Sequence, residues 1–295
     1  MIMSVPASMV RCPVCVDSAT SRWGSREGHA IFECGACGLT FFDLSSFTAH
    51  DYRDYYRYTE TWSETDIVYE VEVRRRRTVR QLRRLASMVP GHRLLDIGAG
   101  PGYFCRIALD EGWNAAGVEI SARAVEIGRD RLGVSYIDLE AVPAASVDVV
   151  CCRHVVEHVA DPLGLLRALR RVLKPGGVLV VHAPHQEPLS FLLRNRLLRR
   201  PDTLCALYLP DHVLGFTTSS LSRVTKRAGF DTLSVEATGK WSAYSDPFFL
   251  RHHLRQRSFL TLSRHVTRQL VDSVGAWLGR GDWVVGHFRK SPDST

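Results

Sequence analysis

One stretch constrains this chain more than any other: His-Arg-Leu-Leu-Asp-Ile-Gly-Ala-Gly-Pro-Gly-Tyr-Phe, from His92 to Phe104. A short apolar run ends in an acid, passes through three alternate glycines and enters the apolar-periodic segment Tyr103 to Leu109, which reads as strand, tight loop and helix. Glycine lets the loop take positive φ and lie against a ligand, while the free N–H groups of the new helix point at that ligand. A dinucleotide fingerprint needs glycine at the third position after Gly100, and Tyr103 stands there instead.

The same alternation continues downstream. Strands are expected near 93–97, 114–119, 134–137, 147–152 and 177–183, with helices at 102–111, 121–131 and 162–173. This order predicts an α/β fold with a mostly parallel sheet. Lys174-Pro-Gly-Gly177 is expected to stop a helix and turn into a strand, Thr217 to Ala228 reads as a helix, and Phe230 to Ala237 and Asp282 to Phe288 as last strands. Ahead of the motif, residues 66–88 form a predicted helix that buries Val71, Val79, Leu82, Leu85 and Met88, with Arg74 to Arg77 crowding its other side. Helical insertions are expected at 186–213 and 247–279, the second basic and amphipathic.

Ligands of open α/β sheets sit at the carboxyl ends of the strands. The first strand ends at Asp96 and the loop of Gly98, Gly100 and Gly102. The second ends at Glu119, 17 residues after Gly102, where a carboxylate can accept both ribose hydroxyls of a nucleoside. The third leads to Asp138 and Leu139, with Asp138 placed to accept from an adenine amino group, and the fourth ends at Arg153-His-Val-Val-Glu157-His158. His158, titrating near neutrality beside Glu157, is the candidate base; His154, His182, His185 and His212 are alternatives near strand ends.

The front of the chain carries different chemistry. Cys12-Pro-Val-Cys15 and Cys34-Gly-Ala-Cys37 stand 18 residues apart, the spacing of a closed four-sulfur zinc ribbon with a structural ion. Cys105, Cys151, Cys152 and Cys205 sit in apolar surroundings and read as core. A tyrosine-rich stretch, Tyr52 to Tyr58, follows as a linker or lid, giving an expected division into a ribbon at 1–48, a linker at 49–65 and a main domain at 66–290. No signal pattern or apolar run of membrane-spanning length is present, so a cytoplasmic location is expected. The net charge of +7 is uneven: −3 over residues 1–65, +3 over 66–185 and +7 over 186–295. Membrane-surface contact through 191–200 and 249–268 therefore enters as a candidate interaction.

Leu95-Asp-Ile-Gly-Ala-Gly-Pro-Gly102, Gly117-Val-Glu-Ile120, Ser146-Val-Asp148, Val155-Val-Glu-His-Val159 before Asp161-Pro162, Lys174-Pro-Gly-Gly177 and Ala228-Gly-Phe230 together resemble the successive motifs of small-molecule class I S-adenosylmethionine-dependent methyltransferases. That resemblance implies a Rossmann-like seven-stranded sheet. It also implies a cofactor site at Asp96, Gly98, Gly100, Gly102, Glu119, Asp138, Leu139 and Arg153. The cysteine pairs and tyrosine-rich linker are similar to the front of nucleotide-sugar C-methyltransferases, in which a Glu-His pair after strand four is implicated in substrate deprotonation; the matching residues are Glu157 and His158. The spacing between the cysteine pairs is shorter than in that family, and its large C-terminal sugar-binding domain has no counterpart. The implied acceptor is a sugar, glycolipid or secondary-metabolite intermediate. Methylation of ribosomal RNA and a non-catalytic zinc-ribbon adaptor are the alternatives, and nucleic acid is the weaker partner because the ribbon segment is itself acidic.

Overall fold

A computed structural model describes residues 10–16, 19–26, 28–43, 64–198, 206–207, 209–239, 271 and 273–292. The N-terminal strands are β1 (Thr20–Arg26), β2 (His29–Cys34) and β3 (Thr40–Phe42). Helix α1 (Glu64–Ala86) leads into β4 (Arg93–Ile97), α2 (Tyr103–Asp110), β5 (Asn114–Val118), α3 (Ala122–Leu132), β6 (Ser135–Tyr136) and β7 (Val147–Arg153). Then come α4 (Pro162–Val172), β8 (Leu173–Pro184), α5 (Leu189–Leu198), β9 (Leu214–Gly215), α6 (Thr218–Arg227), β10 (Phe230–Thr238) and β11 (Trp283–Lys290).

Seven strands form the main sheet in the order β10-β11-β8-β7-β4-β5-β6. Strands β4 to β8 pair in parallel, and β11 runs antiparallel between β8 and β10. Side chains of a strand alternate between faces, so the apolar run of β7 and β8 splits between two cores. Val150, Cys152, Leu179 and Val181 enter one, and Val149, Cys151, Val178 and Val180 the other. Helix starts follow local chemistry: Ser121 and Asp161 accept backbone N–H groups at their caps, Pro162 opens α4, and Thr217 with Ser220 makes a capping box.

Some expectations are corrected. Instead of a helix reaching residue 173 and a glycine turn, β8 begins at Leu173 and runs through Pro175–Gly177, with its register to β7 shifting between Val147 and Val149. Lys174 reaches back to Asp148 at 2.8 Å, and this pulls the segment onto the sheet. Arg74 to Arg77 do not share one side, because 3.6 residues per turn spread consecutive positions around a helix. Arg74 pairs with Glu70, Arg75 with Glu72 and Asp110, and Arg77 turns to the cavity described below. The tyrosine-rich linker and residues 249–268 lie outside the described residues, as does Cys205. Among the described residues no helix is long and apolar enough to cross a membrane.

Candidate active site

The carboxyl ends of β4, β5, β7 and β8 open on a cavity of about 1720 Å³. On its first side the glycine loop holds left-handed backbone at Gly98, Gly100 and Gly102, with φ of 64°, 55° and 83°. A Cβ at Gly98 would stand 2.4 Å from Val155 Cγ2, and one at Gly102 would stand 2.7 Å from the Tyr136 hydroxyl, so neither accepts a side chain. The loop is tied down across three strand ends. Gly98 N and Ala99 N donate to Val118 O, Gly100 N donates to Glu119 Oε2 at 2.7 Å, and the Tyr136 hydroxyl donates to Gly100 O at 2.9 Å. Glu119 Oε1 also accepts Ile120 N and Ser121 N, both at 2.9 Å. Three of the roughly four lone-pair sites of this carboxylate are therefore taken, one by the glycine loop and two by the segment that follows β5. Neither that clasp nor the role of Tyr136 was part of the sequence reading. Its only local signal is the pair of glycines, Gly117 and Gly128, that leave a slot for the tyrosine ring.

Asp96 does not line the cavity. It is buried beneath Arg153, whose Nη2 donates to Asp96 Oδ2 at 2.8 Å while the guanidinium lies 3.9 Å from the Phe104 ring centroid. Burial pushes the Asp96 carboxyl above its ordinary range, and the Arg153 charge opposes that push. Arg77 lines the same wall, half-buried, and makes no hydrogen bond or ion pair with any described residue. Burial, then the charges of Arg153 and Arg80, draw its pKa down. Asp138 is exposed just past β6, and neither it nor Leu139 lines the cavity.

On the opposite side β7 gives way to His154, a non-glycine residue at φ 54°. Such backbone costs energy and is held by its surroundings. His154 N donates to His182 O at 2.8 Å, and its ring sits 4.5 Å from both His182 and Trp283. The single helical turn Val156–His158 follows. Glu157 is 1% exposed, and neither of its carboxylate oxygens has a hydrogen-bond partner. His154 Nδ1 and His158 Nε2 stand 3.3 and 3.8 Å from Glu157 Oε1. His158 Nδ1 lies 2.8 Å from Asp211 O; a carbonyl only accepts, so the ring proton is on Nδ1 and Nε2 carries the lone pair. His212 is anchored alike, Nδ1 to Ala206 O at 2.8 Å, with its ring 4.7 Å from that of His158. Of the alternative bases, His154, His182 and His212 line the cavity. His185 does not; its Nδ1 accepts Glu187 N and burial carries its pKa down to about 4.

A family model described as a methyltransferase domain matches residues 71–235, more than half of the chain. The chain belongs to the class I S-adenosylmethionine-dependent methyltransferases. Two of its relatives are ubiquinone biosynthesis O-methyltransferases. The one from Xanthomonas campestris is 32% identical over 36% of this chain and 48% of its own length, and the one from Cereibacter sphaeroides 36% identical over 38% and 49%. The chain thus spans about half the length of these curated relatives. Two solved structures share the fold. A phosphoethanolamine N-methyltransferase of Haemonchus contortus has TM-score 0.51 and 18% identity over 91% of this chain and 71% of that one. A methyltransferase from Thermotoga maritima has TM-score 0.50 and 21% identity over 82% and 100%.

In this methyltransferase Cys12, Cys15, Cys34 and Cys37 form one cluster, with ligand atoms within 4.8 Å of one another. Cys12 Sγ and Cys37 Sγ are 3.7 Å apart. A tetrahedron with zinc–sulfur arms of about 2.3 Å has edges of about 3.8 Å, whereas a disulfide is about 2.05 Å long. Val14 N and Cys15 N both donate to Cys12 Sγ at 3.4 Å. The Cys37 thiol first, then those amides, hold Cys12 down at about 5 against the effect of burial. The sheet beside the cysteines runs β1-β2-β3-β9, so its last strand, β9, comes from far along the chain, between α5 and α6. Phe42 N donates to Val213 O at 3.3 Å, and Val213 N donates to Glu157 O at 2.9 Å.

Proposed function

We propose that this methyltransferase moves the methyl group of S-adenosylmethionine to a small-molecule acceptor seated at the histidine-lined end of the cavity. The observation that carries the reading is that one cavity joins the glycine loop, Glu119 and Arg77 to His158. S-adenosylmethionine, when bound, supplies an activated methyl on a sulfonium. The chain's residues fit it in type. Gly98, Gly100 and Gly102 allow close backbone approach, Glu119 accepts from the ribose, and Asp138 and Leu139, outside the cavity lining past β6, reach only the outer edge of the adenine. Arg77 and Arg153 face the methionine carboxylate, with Asp96 holding Arg153 in place.

The O-methyltransferase relatives support an acceptor hydroxyl, on a sugar, glycolipid or other metabolite ring. His158 Nε2 takes the hydroxyl proton, and the Glu157 carboxylate, 3.8 Å away, stabilises the imidazolium. We further propose a structural Zn²⁺ on Cys12, Cys15, Cys34 and Cys37, supported by the sulfur spacing. The division into 1–48, 49–65 and 66–290 and a cytoplasmic location, which free cysteines favour, complete the reading.

Titration calorimetry with S-adenosylmethionine is the test. Binding to the wild type is expected, and Glu119→Ala should weaken it by about 1.5–3 kcal/mol, the range for a hydrogen bond to a charged group. A wild-type chain that takes up no donor overturns the proposal. Labelled donor in a cell extract should mark a small metabolite; label in RNA would replace the acceptor class.

A further inference from the structure

Among the described residues, two sets of metal-ligating side chains come together. One is the cysteine cluster; the other is Glu157, His158 and His212, with one ligand atom each lying within 4.8 Å of the others. We infer that this second set is a divalent-cation site of the borderline transition-metal class, opening on the acceptor end of the cavity.

Glu157 makes the first argument. A carboxylate 99% removed from solvent with neither oxygen hydrogen-bonded is costly unless a cation or a proton meets it. The neighbouring Arg153 already commits its fork to Asp96. What faces Glu157 instead is imidazole nitrogen, from His154 and His158.

The histidines make the second. Both anchor Nδ1 to a backbone carbonyl at 2.8 Å, from Asp211 and Ala206. That contact fixes the tautomer and the ring plane and gives Nε2 the lone pair, which is how metal-bound imidazoles are commonly held. Two neutral imidazoles and one carboxylate suit Mn²⁺, Fe²⁺, Co²⁺ or Zn²⁺ rather than Mg²⁺ or Ca²⁺. The two ligand segments are locked to each other by the Val213 N to Glu157 O bond.

Access makes the third. His158 and His212 line the cavity, and three protein ligands leave coordination positions open. An acceptor hydroxyl oxygen joining the ion there loses its proton to water more readily. With the ion bound, His158 is a ligand and the cation takes over the task of lowering the hydroxyl pKa; without it, His158 Nε2 is the proton acceptor. This last step rests on the methyl-transfer reading, whereas the cation site itself does not.

Mn²⁺ is the probe, because thiolates select softer ions and the cysteine cluster leaves it in solution. Electron paramagnetic resonance of free Mn²⁺ titrated against the full chain should show saturable uptake of one equivalent. His212→Ala and Glu157→Gln should each weaken it by roughly a hundredfold or more, beyond the loss typical of an outer-shell change. Donor calorimetry on the same preparations reports whether the fold and the cofactor half survive. Should Glu157→Gln fail to fold, His212→Ala, at a half-buried position, decides alone. A wild-type chain that binds donor but takes up neither Mn²⁺ nor Zn²⁺ beyond the cysteine equivalent overturns the inference, as does full Mn²⁺ affinity in both variants. Failure of donor binding with Mn²⁺ uptake intact would instead remove the methyl-transfer reading.

Discussion

The two halves of the cavity are assembled in different ways. The loop side is made mostly within one run of chain, from Asp96 in β4 to Tyr136 in β6, with Arg77 and Arg153 added from α1 and β7; Gly98 N and Ala99 N bond Val118 O, Gly100 N bonds the Glu119 carboxylate, and the Tyr136 hydroxyl bonds Gly100 O. The histidine side is collected from four separated places: the turn after β7, His182 in β8, the segment before β9, and Trp283 at the start of β11. A ligand site built from consecutive residues inherits its geometry from the sheet itself. One collected from distant segments depends on whatever fixes those segments, here the cysteine ribbon through β3, β9 and Val213.

Removal of the proposed zinc is the strongest way to break this comparison. Structural zinc contributes on the order of 10 kcal/mol to the modules it holds together, and here it would add to the apolar contacts of Ile31, Phe32, Leu39, Phe41 and Phe42, which are buried in β2, β3 and the turn before β3. Chelation is expected to expose β1 to β3 to protease and to release β9, so that methyl transfer is lost. Donor affinity measured by calorimetry should stay within about twofold, because no residue of the glycine loop bonds to the ribbon. Equal loss of donor binding would show that the halves are not separable.

Asp96→Ala attacks the other half. Removing the buried carboxylate leaves Arg153, partly exposed on the cavity wall, without its partner, a loss of about 1.5–3 kcal/mol in folding stability. Urea unfolding should register it together with a drop in donor affinity. A shift below about 1 kcal/mol would mean that the guanidinium finds another partner and that the pair is not what holds this wall.

This contrast also explains what the chain revealed in advance. The β4 motif, the strand order up to β8 and the acids at strand ends were legible because each is written in adjacent residues with a period or a turn chemistry of its own. Glu119 was found, but not its grip on Gly100, since that bond exists only once β4 and β5 lie side by side. Arg77 was read as one of four equivalent arginines, and only the helix turn separates it from Arg75 and Arg76. β9 is two residues long, too short for any pattern, yet it joins the ribbon to the active site. His212 stood among several candidate bases, and nothing in its neighbours marked it as the partner of His158.

Acid gives the smallest effect and sharpens the comparison further. Burial holds His182, His185, His212 and His287 below their ordinary value; the charge of His154 adds to it at His182, and that of Arg280 at His185. A histidine whose pKa is lower in the fold is neutral there and gains a proton on unfolding. Between the two values the unfolded chain binds more protons, so stability rises with pH and is lost as pH falls below about 6.5. His185, carried down to about 4, accounts for at most about 3 kcal/mol of that loss over the window from 6.5 to 4. His182, His212 and His287 line the cavity, and all three belong to elements on the histidine side. Urea midpoints measured from pH 8 to 5 should therefore fall below pH 6.5, with a shallower slope in His182→Gln than in the wild type. A flat profile across that interval would mean that these rings bind protons in the fold as they do in the unfolded chain, so that burial does not hold their pKa down.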